Sequence, residues 1–207
     1  MTISPLPCPA PAADPIVLVL AAGRGTRFAA SGGHVHKLQA LLVGQTVLAH
    51  VCQAVAQAGL RCHVVHPQGV DTAGMGDSIA CGVRATLDAA GWLILPADMP
   101  LVQPRTLRQV AQALRAGDAL HAVQPYGVGQ AGHPVAFSAG CAPALQALRG
   151  DEGARQVLHA LRAQGQVQTL AVADPGVLYD IDTTDDLYRA AQWLAQQPAT
   201  ARTQTLF

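Results

Sequence analysis

The apolar run Ile16-Val17-Leu18-Val19-Leu20 ends directly on a turn of small residues, Ala21-Ala22-Gly23-Arg24-Gly25. A strand with one wet face alternates apolar and polar side chains. This run does not alternate, so both of its faces must be covered, as in a parallel sheet lying between helices. Further strand-forming runs occur at Cys62 to Val65, Trp92 to Leu95 and Val167 to Val172, with shorter ones at Leu120 to Val123 and Val135 to Phe137.

Helical spacing fills the intervals. Thr46 suits an N-cap ahead of Val47, Leu48, Val51 and Val55, and Gly59 is a stop signal. Asp77 or Ser78 is placed to open a second helix carrying Ile79, Val83 and Leu87, closed by Gly91. Pro104 fits the first turn of a third, with Leu107, Val110 and Leu114 as its buried stripe and Gly117 at its end. Strand and helix alternation predicts an α/β fold, a three-layer Rossmann-like sandwich with a mainly parallel central sheet, whose ligands bind beyond the carboxyl ends of the strands.

At 207 residues the chain fits one domain, expected over 15–197, with a disordered proline-rich tail at 1–14 and a flexible polar tail at 198–207. Lys plus Arg equals Asp plus Glu, 13 each. No global field therefore draws the chain to nucleic acid or to an anionic membrane, and any phosphate site must be local. The five cysteines lack a CxxC pair, which argues against a disulfide framework and a zinc knuckle and suits a reducing cytoplasm. No secretory signal and no membrane-spanning run is expected.

The turn after the first strand, with Gly23, Gly25 and the later Gly32-Gly33 pair, allows backbone N–H groups to approach phosphate oxygens. Arg27 and Lys37 add mobile positive charge. The residues alone leave an ordinary strand-to-helix turn equally open. Two familiar motifs are excluded: Phe28 stands at the third glycine position of a dinucleotide fingerprint, and no Gly-Lys-Ser/Thr closes a P-loop.

Two acidic positions follow predicted strands. Asp98, within Leu95-Pro96-Ala97-Asp98-Met99-Pro100, is placed either to ligate Mg²⁺ or to organise its turn. In Tyr179-Asp180-Ile181-Asp182-Thr183-Thr184-Asp185-Asp186, capping accounts for Thr183, Asp185 and Asp186 and leaves Asp182 less settled. Ser78, in Gly74-Met75-Gly76-Asp77-Ser78, offers a hydroxyl to a nucleobase or to a helix start, and Gly82 leaves room for close approach. His34, His36, His63 and His66 have no supporting ligand cluster and read as solvated or core residues.

Leu20-Ala21-Ala22-Gly23-Arg24-Gly25-Thr26-Arg27, followed by Lys37, resembles the signature of the MobA-like nucleotidyltransferase family. The resemblance extends through the Asp98 and Asp182 segments, from about Val17 to Leu187. It implies a nucleotide-diphospho-sugar transferase-like fold and a nucleotide site of Leu20, Ala21, Ala22, Gly23, Gly25, Arg27, Lys37, Ser78, Gly82 and Asp98. Arg27, Lys37 and Asp98 would act in catalysis, and Asp98 and Asp182 would bind Mg²⁺. Gly132-His133-Pro134-Val135 and Gly150-Asp151-Glu152-Gly153-Ala154-Arg155 resemble acceptor-side segments, implying acceptor contacts by His133, Asp151, Gly153 and Arg155. The spacing departs from the family pattern, because extra residues around Ser31 to Val35 precede Lys37.

Among the family's branches the motifs most resemble molybdenum-cofactor cytidylyltransferases, implying CTP, a phosphorylated pterin-type acceptor and a molybdoenzyme client. Two alternatives stay open within the same fold, a guanylyltransferase and a nucleotide-sugar cytidylyltransferase. A noncatalytic cofactor carrier is a third. Ala22 stands where guanylyl members carry glycine, and its methyl crowds a purine, although a methyl-sized change discriminates by only ~1–3 kcal/mol.

Overall fold

A computed structural model describes residues 14–23, 25–66, 74–117 and 120–196. The two expected tails lie outside these residues apart from Asp14, which forms an ion pair with Arg115.

In chain order the elements are β1 (Ile16–Leu20), α1 (Thr26–Ala30), β2 (Leu41–Leu42), β3 (Gln45–Thr46), α2 (Val47–Gln57), β4 (Arg61–Val65) and α3 (Met75–Ala85). They continue with β5 (Gly91–Pro96), α4 (Pro104–Ala116), β6 (Ala122–Gly127), β7 (Gln130–Ala131), β8 (Val135–Ser138), α5 (Ala142–Gln146), α6 (Arg155–Ala163), β9 (Val167–Ala171) and α7 (Thr184–Gln196). A short hairpin joins β2 to β3; the other strands form one sheet.

β1 lies second from one edge, parallel to the edge strand β4 on one side and to β5 on the other. β8 then runs antiparallel to both β5 and β6, which returns β6 to the direction of β5, and β9 is parallel to β6. β7 pairs antiparallel with the far end of β6. The sheet is thus mainly parallel, with β8 as the reversed strand inside it.

The side chains of β1 divide between two cores. Val17 and Val19 pack with Leu93, Leu95, Val51, Val55, Leu107 and Val110 on the face covered by α2 and α4. Ile16, Leu18 and Leu20 pack with Trp92, Ile94, Ile79, Val83 and Leu145 on the face covered by α3 and α5. Two covered faces are why the run never alternates.

Thr46 caps α2 as expected, its Oγ1 accepting from Ala49 N at 3.1 Å, and Gly59 takes the left-handed conformation at φ 71°. The start of α3 differs. The helix opens at Met75, so Ser78 is not its cap but lies inside it, donating to the Gly74 carbonyl at 3.1 Å. Gly91 does not close α3, which ends at Ala85; it begins β5, where a Cβ would stand 2.5 Å from the Phe137 carbonyl oxygen. β6 begins at Ala122, two residues after the expected start.

Candidate active site

The carboxyl ends of β1 and β5 are adjacent, because Leu20 pairs with Pro96 and Ala97 N donates to the Leu20 carbonyl at 3.1 Å. The glycine turn and the Asp98 segment therefore start side by side. Ile181 N donates to the Asp98 carbonyl at 2.9 Å, and Ile181 is fully buried, which anchors the distant acidic segment beside the first. Beyond Ile181 a capping box forms. Thr183 Oγ1 accepts from Asp186 N, while Asp186 Oδ2 accepts from Thr183 N at 2.8 Å and Asp182 N at 3.2 Å. Asp186 is thus committed to the backbone, and Asp182 is free to face the site.

Lys37 meets both acids. Its Nζ donates to Asp98 Oδ2 at 2.6 Å and to Asp182 Oδ1 at 3.1 Å, and only 8% of its side chain is exposed. Burial alone would lower the Lys37 pKa; the charges and hydrogen bonds of Asp98 and Asp182 outweigh it, and the net direction is upward. Asp182 likewise loses some solvation, but bonds from Lys37 and Arg27 bring its pKa below the ordinary carboxylate value. Arg27 pairs with Asp182 Oδ2 from the solvent side, its side chain 78% exposed.

The extra residues before Lys37 are pinned rather than loose. Thr184 N donates to Ser31 Oγ and Thr184 Oγ1 to the Ser31 carbonyl, both at 2.9 Å, fastening the insertion to the start of α7. His36 closes the loop: Nε2–H donates to the Gly23 carbonyl at 2.9 Å, leaving Nδ1 to accept from Leu38 N at 3.4 Å. This role was missed in the sequence, where His36 reads as a solvated or core histidine; its position next to Lys37 was the available signal. Gly25 caps α1 at φ 64°, a conformation that favours glycine. Gly33 serves packing, since a Cβ there would lie 2.3 Å from the buried Phe28 ring.

Two cavities meet at Asp98. The first, about 440 Å³, is walled by Leu20, Ala22, Gly23 and Lys37 on the β1 side and by Gly74, Met75, Ser78 and Asp151 on the other. The second, about 360 Å³, is walled by Gln130, Gly132, His133, Val177 and Asp180, and shares Met75, Pro96 and Asp98 with the first. Met75, exposed at the junction, carried no functional signal in the sequence.

The residues assigned to the acceptor from sequence are divided between these spaces. His133 borders the second cavity and Asp151 the first, whereas Arg155 is exposed on α6 and lines neither. Gly153, at φ 59°, packs against Met75. Gly82 lines neither cavity and makes room for Val65 and Leu18, so its smallness serves helix-to-sheet packing. Ala21 is buried and continues the β1 ladder, its N–H donating to the Val65 carbonyl at 2.9 Å.

His133 Nδ1 is buried without a hydrogen-bond partner. Burial lowers the His133 pKa, opposed by a main-chain bond at Ile94 and by the charges of Asp98 and Asp180. Asp180 shifts the other way: burial raises its pKa, a bond to its own main chain opposes this, and the charges of Asp182 and Asp98 add to the rise. Sequence reasoning also missed Asp174, 2% exposed, which accepts from Gln103 N at 2.9 Å, Thr106 Oγ1 at 2.6 Å and Gly176 N at 3.0 Å. It ties the loop after Asp98 to the loop that supplies Val177.

Among the described residues no three His, Cys, Asp or Glu side chains gather as a ready metal cage. Two carboxylates alone suit Mg²⁺, which takes few protein ligands and completes its shell with water and substrate phosphates. No helix among the described residues is long and apolar enough to cross a membrane.

A mainly parallel sheet with a glycine turn after β1, Asp98 beyond the end of β5, and Lys37 and Asp182 brought to it by loops, the latter from the coil before α7 and not from a strand end as expected, has the nucleotide-diphospho-sugar transferase-like α/β fold. Within it, residues 17–167 match the MobA-like NTP transferase domain, and the chain belongs to that family. Over 119 residues it is 33% identical to the purine catabolism protein PucB of Bacillus subtilis, a stretch covering 55% of this chain and 54% of PucB. The chain thus spans about half the length of that relative. A nucleotidyl transferase from Methanothermobacter thermautotroptrophicus shares the fold at TM-score 0.73 and 24% identity, covering 88% of this chain and 98% of its own. Rv0371c of Mycobacterium tuberculosis, in a complex with manganese, is 26% identical at TM-score 0.66, covering 86% of this chain and 98% of its own.

Proposed function

We propose that the protein transfers CMP from CTP to a phosphorylated pterin acceptor, the molybdopterin form of the molybdenum cofactor, releasing pyrophosphate. The observation that carries the reading is the junction of two cavities at Asp98, the first also lined by Lys37, one suited to a donor nucleotide and one to an acceptor. Asp98 and Asp182 would hold Mg²⁺, which when bound supplies positive charge to the phosphates. The manganese complex of Rv0371c, which shares the fold, supports a divalent ion here.

The β1 turn receives the triphosphate through Gly23 and Gly25, and Arg27 and Lys37 offset its negative charge. Ser78 faces the base, and Ala22 narrows the same cavity in favour of a pyrimidine. An acceptor phosphate oxygen in the second cavity attacks the α-phosphorus. The new P–O bond forms as the bond to the departing pyrophosphate breaks. No protein nucleophile is needed, since orientation and fixed charge lower such barriers.

The test is pyrophosphate release by the purified protein with Mg²⁺, molybdopterin with and without molybdenum, and CTP, GTP, UTP or ATP in turn. CTP is expected to be preferred. Equal or better turnover with GTP overturns the cytidylyl assignment, and absence of pyrophosphate release with every one of the four nucleotides overturns the transferase reading.

A further inference from the structure

The Arg149–Gly153 turn is seated on the first turn of α3 by close backbone contact. A Cβ at Gly74 would lie 2.1 Å from the Gly150 carbonyl carbon, and one at Gly76 would lie 2.8 Å from the Arg149 oxygen, so neither position accepts a side chain without displacing the turn. Asp77 Oδ2 then accepts from Gly150 N at 2.9 Å. Gly150 and Gly153 are both left-handed, at φ 64° and 59°, which reverses the chain over Met75. The outcome is that Asp151 becomes a wall of the first cavity, on the Ser78 side.

A carboxylate in that wall has a narrow range of uses. It is a hydrogen-bond acceptor only, so it selects a ligand N–H or O–H. It repels phosphate, and among the described residues no Lys or Arg forms an ion pair with it, in contrast to Asp98 and Asp182 at the Lys37 end. The uncharged half of a nucleotide is what fits beside it.

We propose that Asp151 is a specificity residue for the nucleotide, accepting a hydrogen bond from a donor on its nucleoside half, either an exocyclic amine of the base or the ribose 2′-hydroxyl. Asp77 is the positioning residue that holds it there. This rests on reading the first cavity as the nucleotide site, and it moves Asp151 from the acceptor to the donor substrate.

Equilibrium binding of CTP, UTP and dCTP to the full-length protein, with Mg²⁺ and no acceptor, tests the assignment. Asp151→Ala is expected to weaken CTP about tenfold to a hundredfold, the range for a hydrogen bond to a charged group. If the base amine is read, CTP falls to the level of UTP and UTP itself is unchanged. If the ribose is read, CTP falls to the level of dCTP. Asp77→Ala is expected to reproduce part of the loss with the same discrimination, and Asp77→Asn, which keeps an acceptor oxygen for Gly150 N, to restore affinity. CTP affinity of Asp151→Ala within twofold of wild type, or an equal loss for all three nucleotides, overturns the proposal while leaving the nucleotide site in place. Failure of the wild type to bind any of the three overturns both.

Discussion

Lys37 Nζ stands 2.6 Å from Asp98 Oδ2, an ion pair that joins the loop after β1 to the end of β5 across a largely buried contact. The same ammonium reaches Asp182, so one cation neutralises two acids from segments far apart in the chain. The lysine is part of the scaffold of the site as well as a charge within it.

Lys37→Ala is therefore expected to fold but to lose about 1–2 kcal/mol of stability, a loss moderated by the partial exposure of both acids. Turnover is expected to fall about 10²–10³-fold, more than nucleotide affinity falls, if the contact strengthens as charge develops. Because the Lys37 pKa is raised, its stabilising contribution is complete below the ordinary lysine value of 10.5 and is lost as pH climbs through the raised one. Urea melts and steady-state kinetics check both parts; unchanged kcat would remove the charge-stabilising role.

Asp98→Asn and Asp182→Asn are each expected to lower turnover about 10²–10³-fold. The double variant should be little worse than the poorer single one, since groups serving one ion act as a unit. Mn²⁺ binding followed by electron paramagnetic resonance, in the presence of nucleotide, should weaken in both single variants. Normal Mn²⁺ binding in a folded Asp182→Asn protein would return that residue to an ion-pairing role with Lys37 and Arg27.

What the sequence made legible was governed by local rules. The unbroken apolar run of β1 requires cover on both faces, Thr46 caps by side-chain chemistry, and Pro104 and Gly117 punctuate α4; each signal lies within a few residues of its effect. Lys37, Asp98 and Asp182 were also named, although their meeting depends on the Ile181 bond to Asp98, which no local pattern reports. The same limit hid Asp174, whose partners are Gln103, Thr106 and Gly176. It likewise hid the placement of Asp151, which follows from the fit of Gly74 and Gly76 against a turn 70 or more residues away. The reversed direction of β8 was not legible either, because a buried antiparallel strand has the same apolar pattern as a parallel one.

Asp174→Ala is expected to destabilise the fold by about 2–4 kcal/mol, since it strips three donors of one buried acceptor. Asp174→Asn should cost less, because an amide oxygen still accepts. Urea denaturation of the two variants measures the order. A loss below about 0.5 kcal/mol in Asp174→Ala, the range of ordinary surface changes, would show that water replaces the carboxylate.

His133 gives the pH dependence its sign. Burial lowers its pKa below the ordinary 6.5, and its Nδ1 has no partner to stabilise a proton. The folded chain thus holds this imidazole neutral at pH values where the unfolded chain binds a proton. Stability is full above 6.5 and falls as pH drops from there toward the lowered folded value, by at most about 1.4 kcal/mol per pH unit for one proton. His133→Gln removes the titration while keeping a polar side chain. Subtracting its unfolding free energy from that of the wild type at pH 8, 7, 6 and 5 cancels the other titrating groups. The difference is expected to favour the wild type most at pH 8 and to shrink as acid is added. A difference that stays constant across the series would show that His133 titrates alike in both states, the Ile94 main-chain bond and the charges of Asp98 and Asp180 then fully offsetting burial.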